Sequence, residues 1–199
     1  MNRYLGVLIC LAVFAVPLSA QAGNAIFTQT YSFSDVDNSW RAIKLADDFS
    51  PDFSGDVQYV VLWVVYDVAQ PASIFLRITE DNGDLNPNTA TLVTSGLSPA
   101  THVDTGDWYG GDIIQTTCIL PTAAAVSSGK TYWLEVALPY PSYWLAQQPL
   151  VFGSTMWGYA NGQFWSTQYL VQEDYDSFFE LHIPLALENN TWGSIKASF

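Results

Sequence analysis

The chain has 199 residues, with 6 Lys+Arg against 19 Asp+Glu and a formal net charge of −13. A surface this acidic repels nucleic acid and anionic lipid, and suits cations or neutral polymers. Of its two cysteines, Cys10 lies in an N-terminal leader, so beyond the leader Cys118 stands alone and an intrachain disulfide framework is excluded.

The leader comes first. Met1-Asn2-Arg3 is a short basic start, "YLGVLICLAVFAV" is wholly apolar, Pro17 breaks the run, and Ala20-Gln21-Ala22 has A-x-A spacing. This predicts a signal peptide over residues 1–22, cleaved after Ala22, and a secreted or cell-surface protein. The apolar run is short for a bilayer span, and nothing later is apolar enough for one. Residues 23–183 then read as one domain and 184–199 as a C-terminal tail.

Within the domain, short runs rich in Val, Ile, Thr, Tyr, Phe and Trp recur between Gly, Pro, Asn and Asp clusters, the pattern of strands. "AIFTQTYSF" (25–33) opens it, followed by "WRAIKLADDF" (40–49). "VQYVVLWVVYD" (57–67) is apolar on both faces, as a central strand is. "ASIFLRITE" (72–80) alternates, with Ile74, Leu76 and Ile78 on one face and Phe75, Arg77 and Thr79 on the other. "DIIQTTCIL", "TYWLEVAL", "LVFGSTMWGYA", "QFWSTQYLV" and "SFFELHI" complete the set, and "TAAAVSSGK" (122–130) is the nearest approach to a helical turn. About ten strands in one secreted domain predict an all-β, antiparallel β-sandwich of jelly-roll type. One hairpin is specified to the residue. Asn161-Gly162 suits a two-residue type I′ turn, which pairs Ala160 with Gln163, Tyr159 with Phe164, Gly158 with Trp165 and Trp157 with Ser166, and sets Trp157, Tyr159 and Phe164 on one face.

Two segments carry candidate chemistry. "EDNGDLNPNTATL" (80–92) spaces Asp84, Asn86 and Asn88 like the first half of an EF-hand loop. Thr89 stands where that loop needs glycine and Ser95 where it needs its bidentate acid, so a turn built on Asn and Asp is the favoured reading. A distributed calcium site is the alternative, with Asp35, Asp37, Asp47 and Asp48 as ligands in an acidic region that also holds Asp52 and Asp56. A structural Ca2+ is the one cofactor the pattern offers, and it would replace the missing disulfide as a staple. Solvated acidic loops are the plainer reading of the same residues.

The mature chain holds all eight tryptophans. Trp63 and Trp133 fall in apolar strands and are read as core. Trp108 and Tyr109 lie in the Gly-rich "DTGDWYGGD", and Tyr140, Tyr143 and Trp144 in the Pro-rich "LPYPSYWLAQQP" (138–149). Trp108, Tyr109, Tyr143 and Trp144 therefore form a candidate carbohydrate platform, flat apolar faces beside polar groups; the alternative is that they plug the sandwich ends. Catalytic signatures are sparse. There is no Gly-x-Ser-x-Gly elbow, no His-Glu-x-x-His and no phosphate loop. His102 beside Asp104 is a loop pair, and His182 is read on a strand surface. Cys118, in "IIQTTCIL", is read as a buried hydrophobe, with pairing between chains as the alternative.

The order of "LADDFS", "IFLRITEDNGDLNP", "SSGKTYWLEVAL", "WGYANG" and "DSFFELHI" resembles the secreted all-β domains of bacterial surface proteins, among them exosortase-sorted or otherwise anchored chains. The resemblance covers residues 40–183 and its motifs are structural, so it carries over no catalytic residue. The chain departs from the sorted members in lacking a C-terminal apolar helix followed by a basic cluster. Its "TWGSIKASF" resembles short terminal tails of secreted bacterial proteins, against the plainer reading of a loosely packed end. The expected function is non-enzymatic, structural or adhesive, at the cell surface, with polysaccharide or surface proteins as partners. A carbohydrate-binding module is the alternative, and a secreted glycosidase with two facing carboxylates the third reading.

Overall fold

A computed structural model describes residues 24–29, 31–36, 38–40, 44–148, 155–160, 162–166 and 175–184. Asp37, Asn161, residues 1–22 and almost all of the tail lie outside that set. The protein is all-β. The described residues form thirteen strands: β1 (Asn24–Gln29), β2 (Asn38–Trp40), β3 (Leu45–Phe49), β4 (Gly55–Tyr66), β5 (Ser73–Glu80), β6 (Thr91–Trp108), β7 (Asp112–Val126), β8 (Tyr132–Ala137), β9 (Ser142–Gln147), β10 (Trp157–Ala160), β11 (Gln163–Ser166), β12 (Asp176–Ser177) and β13 (Phe179–Ile183). One 3-10 turn, Phe33–Asp35, is the sole helical element among them.

All pairings are antiparallel, and the sheet runs β1-β13-β4-β7-β6-β5-β8-β3-β10-β11, with β9 joining β4, β2 and β12 beside it. Where the sequence predicts two stacked sheets, the pairing is continuous. Strand β6 serves both halves: Thr91–Pro99 pairs with β5 and Ala100–Trp108 with β7. At the crossing, the backbone of Gly96 lies so near Pro121 that a Cβ there would meet Pro121 Cγ at 2.7 Å. This strand escaped the sequence reading because Gly96, Pro99 and Gly106 interrupt it. Strand β9 escaped for a like reason, its flanking prolines marking it as loop. Residues 122–126, read as a helical turn, instead end β7.

The sheet turns its halves face to face. Phe49 of β3 lies 5.6 Å from Phe27 of β1 and 6.1 Å from Phe179 of β13, ring centre to ring centre, so strands from opposite ends of the pairing order share one core. Leu62, Val64, Ile74, Leu76, Ile78, Leu134 and Val136 fill it at the period-2 spacing of inward positions. Cys118 sits there too, fully buried, and burial pushes its thiol up to about 12.

Strands β3, β4 and β8 also bury their outward residues. On the β4 side, Val61, Trp63, Val65, Ile113, Leu145 and Phe178 form a second cluster, capped by Tyr31, which stacks on Trp63 at 5.5 Å and donates a hydrogen bond to Asp107 at 2.8 Å. On the β3–β8 side, Ala46, Trp133 and Phe164 form a third. The β10–β11 hairpin has the predicted register, Trp157 opposite Ser166 through Ala160 opposite Gln163, with Gly162 at φ +88 where an L side chain would be strained.

Phe49→Ala is expected to lower stability by about 3–5 kcal/mol in chemical denaturation, the range for emptying an aromatic site in a core. Phe53→Ala, at a position 66% exposed, is expected to stay within about 0.5 kcal/mol of the parent.

Candidate functional site

The loop 80–92 is closed by its own side chains. Asp81 accepts hydrogen bonds from the backbone of Gly83 (2.6 Å), Leu85 (3.4 Å) and Asn86 (3.3 Å) and from Trp133 Nε1 (3.1 Å). Both oxygens of Asp84 accept from the Thr89 hydroxyl, and Asn82 donates to the Thr89 carbonyl. Asn88 reaches out of the loop. Its Nδ2 donates to the Phe164 carbonyl at 2.9 Å and its Oδ1 accepts from the Phe164 amide at 2.7 Å, so the side chain mimics a strand partner for β11. The loop is a clasp that holds the hairpin over the outer face of β3 and β8.

That outer face is the strongest candidate site. Register sets its residues in rows. Trp157 lies opposite Ala46, Ala46 opposite Glu135, and Glu135 opposite Arg77. One step along, Asp48, Trp133 and Thr79 make a second row. On the other side, the Tyr159 amide bonds the Lys44 carbonyl at 2.9 Å and Lys44 Nζ stands 5.0 Å over the Tyr159 ring, near Ala137 and Phe75. Small Ala46 and Ala137 keep the floor low, while Trp157 and Tyr159, both half-buried, rise on the hairpin side. The Trp157 indole meets Trp133 edge-on at 6.0 Å.

Glu135 is buried and ion-paired with Arg77 at 3.1 Å. Burial raises the Glu135 carboxyl above its ordinary range, offset by the cations of Arg77 and Lys44. Among the described residues, Trp157 Nε1 and Thr79 Oγ1 on this face are buried and have no hydrogen-bond partner. Such groups are costly to bury.

The predicted aromatic platform is not assembled. Trp108 ends β6 and is 65% exposed. Tyr109 and Tyr143 pack against the second apolar cluster. Trp144 lies on β9, not in a loop; it is fully buried in the main core, beside Phe179, and donates to the Phe178 carbonyl at 3.0 Å, so its ring offers no face to a ligand. Nor do the predicted calcium ligands converge. Asp35 is exposed in the 3-10 turn, and Asp37 lies outside the described residues. Asp47 and Asp48 are adjacent on one strand and point to opposite faces, Asp47 into the core and Asp48 to the outer face. Among the described residues no group of three or more His, Cys, Asp or Glu is arranged to hold a metal ion.

The histidines are placed by strands. His102 is on β6, not in a loop. Its Nε2 donates to the Pro71 carbonyl at 2.8 Å, so in the neutral ring Nδ1 accepts from the Thr116 hydroxyl at 3.1 Å, which accepts in turn from Tyr66. His182 stacks on Tyr59 and bonds Glu180 at 2.9 Å. What the sequence reading missed is the group Lys44, Arg77, Glu135, Trp157 and Tyr159. The signal was present in part, since Arg77 and Thr79 alternate away from the core and Trp157 and Tyr159 share a hairpin face.

Asp47 is a buried acid on β3. It accepts from the Ser177 amide at 2.5 Å, and burial, then the nearby carboxylates of Asp176 and Asp48, hold its carboxyl well above the ordinary range. An acid whose folded-state value is raised binds its proton more tightly folded than unfolded, so stability falls as pH climbs from the unfolded value toward the folded one. Asp47→Asn is therefore expected to raise the melting temperature more at about pH 7 than at about pH 4, and to flatten the slope between them. Asn88→Ala is expected to cost about 1–2 kcal/mol by unpairing the Phe164 amide and carbonyl, and Asp84→Ala less, since its contacts are exposed; equilibrium denaturation of the two variants checks both.

No protein-family model matches the chain, and no curated protein or solved structure matches it either.

Proposed function

We propose that the protein is a secreted, non-enzymatic β domain with a structural or adhesive role at the cell surface. One observation carries this reading. A stripe of apolar side chains stands outward along β6 and β7: Leu97 is 65%, Val103 62% and Ile119 40% exposed. Leu97, Pro99 and Val103 occupy alternate positions of one face, and Ile119 points outward beside them because its neighbour Cys118 points in. An apolar stripe on a strongly acidic chain favours contact with another surface, while the acidic charge keeps free copies apart.

The leader supports export, and the locked loop 80–92 supports a frame rather than a moving part. Polysaccharide and surface proteins are the partners this reading admits. The stripe is tested by attachment. Cells or beads displaying Val103→Asp/Ile119→Asp are expected to adhere several-fold less than those displaying the parent, with melting temperature preserved. Equal adhesion would remove the stripe as the contact surface.

A further inference from the structure

Beyond Pro99 one edge of β6 is left open, and we infer that it takes up an extended, basic segment of a partner protein as an added strand. The inference deepens the adhesive reading, on which it rests for where the partner is met, and names the chemistry of that partner.

The first observation is the edge itself. Strand β6 pairs with β5 only up to Pro99, opposite Ser73, and from Ala100 to Trp108 it pairs with β7 alone. The Ala100 amide bonds the Ala72 carbonyl at 3.0 Å, so the main chain at that position points away from β7. Direction alternates along a strand, so the amides and carbonyls of His102 and Asp104 point the same way. Pro71 has no amide hydrogen to continue the cover, and its carbonyl accepts from the His102 ring instead. Among the described residues no other backbone hydrogen bond reaches this edge past Ala100. An open edge of this kind is a template for one more strand.

The second is what the edge presents. Val103 is 62% exposed on the outward face, beside exposed Thr101. Asp104 is exposed on the opposite face. An added strand continues these rows: its residue opposite Asp104 meets a carboxylate, and its neighbour opposite Val103 meets an apolar side chain.

The third is charge. Between Arg77 and Lys130 the sequence has no Lys or Arg, while Asp104, Asp107 and Asp112 gather at this end of β6 and β7. The nearest cations in sequence are engaged elsewhere, Arg77 by Glu135 and Lys130 by Glu80. A segment with lysine or arginine opposite Asp104 and apolar residues on either side therefore matches the edge. A second copy matches it poorly, since its own Asp104 and Asp107 would set carboxylates against carboxylates.

Binding is read by fluorescence anisotropy of short labelled peptides added to the intact protein. A peptide alternating valine and lysine is expected to bind, and one alternating valine and glutamate not. Methylating the backbone nitrogens of the lysines keeps the charge and removes the donors that face the edge, and is expected to weaken binding at least about tenfold. Asp104→Asn keeps an acceptor for the Gly106 amide, which Asp104 holds at 2.8 Å, and removes the charge; it is expected to weaken binding several-fold. Asp104→Pro also removes the outward amide and is expected to abolish binding. If Asp104→Pro does not fold, the methylated peptide tests the same main-chain pairing on the parent protein. No binding of the lysine peptide, equal binding of its methylated form, or equal binding by Asp104→Asn would overturn the edge. A dimer in sedimentation that Asp104→Pro dissolves would give the edge to a second copy and overturn its assignment to a basic partner. Stripe-dependent adhesion without binding of the lysine peptide would end this inference and leave the adhesive reading standing. Binding of the peptide by a protein that does not adhere when displayed would support the edge and end the adhesive reading.

Discussion

A β-sheet that is apolar on both faces must be covered on both, and the architecture follows from that requirement. Strands β3 and β8 are buried along almost their whole length and β4 from Val60 to Val65. Folding the sheet over covers one face of each. The other faces need separate covers, and the chain supplies two. Tyr31 and Val36 close the Trp63 side; the β10–β11 hairpin and the loop after β5 close the Trp133 side. Asp81 and Asn88 act at that second cover, one fastening the loop to Trp133 and the other fastening the hairpin to the loop. With Cys118 the only cysteine among the described residues, and free, the chain gains long-range ties from side-chain amides and carboxylates where small disulfide-rich domains use cross-links.

Buried acids are the cost of this arrangement. Asp47, Asp48, Glu135 and Asp176 are all nearly inaccessible. Each lies on a strand whose alternate positions serve two covered faces, so a polar residue there has no solvent side to turn to. Glu135 is met by Arg77, and Asp47 by the Ser177 amide. A carboxylate placed this way favours one arrangement of neighbours over others even when it adds little net stability.

How far the sequence could be read depended on which periodicity was strong. The alternation of Ile74, Leu76 and Ile78 and the unbroken apolar run of β4 located central strands, and Asn161-Gly162 set a hairpin register that the structure reproduces. Strand β6 was hidden, because a strand with a solvated outer face and internal Gly and Pro has the composition of a loop. The site was harder still. Lys44, Arg77, Glu135 and Trp157 come from four strands, and only pairing register brings them into rows. Trp144 misled for the complementary reason, since proline neighbours suggested a loop tip while its own strand is bonded on both edges to β4 and β2.

Cys118 gives the fold a built-in reporter. The thiolate is the reactive form, and with the thiol pushed up to about 12 only about one molecule in 10⁵ carries it at neutral pH. Burial within the core removes access as well. In an oxidising medium the residue is therefore chemically silent while the sheet is closed, and becomes alkylatable or oxidisable when β4 and β7 separate from the opposing half. The rate at which a thiol reagent in excess consumes Cys118 would then be the rate at which the two halves part. Irreversible oxidation of an opened copy in such a medium would prevent its return to the closed sheet.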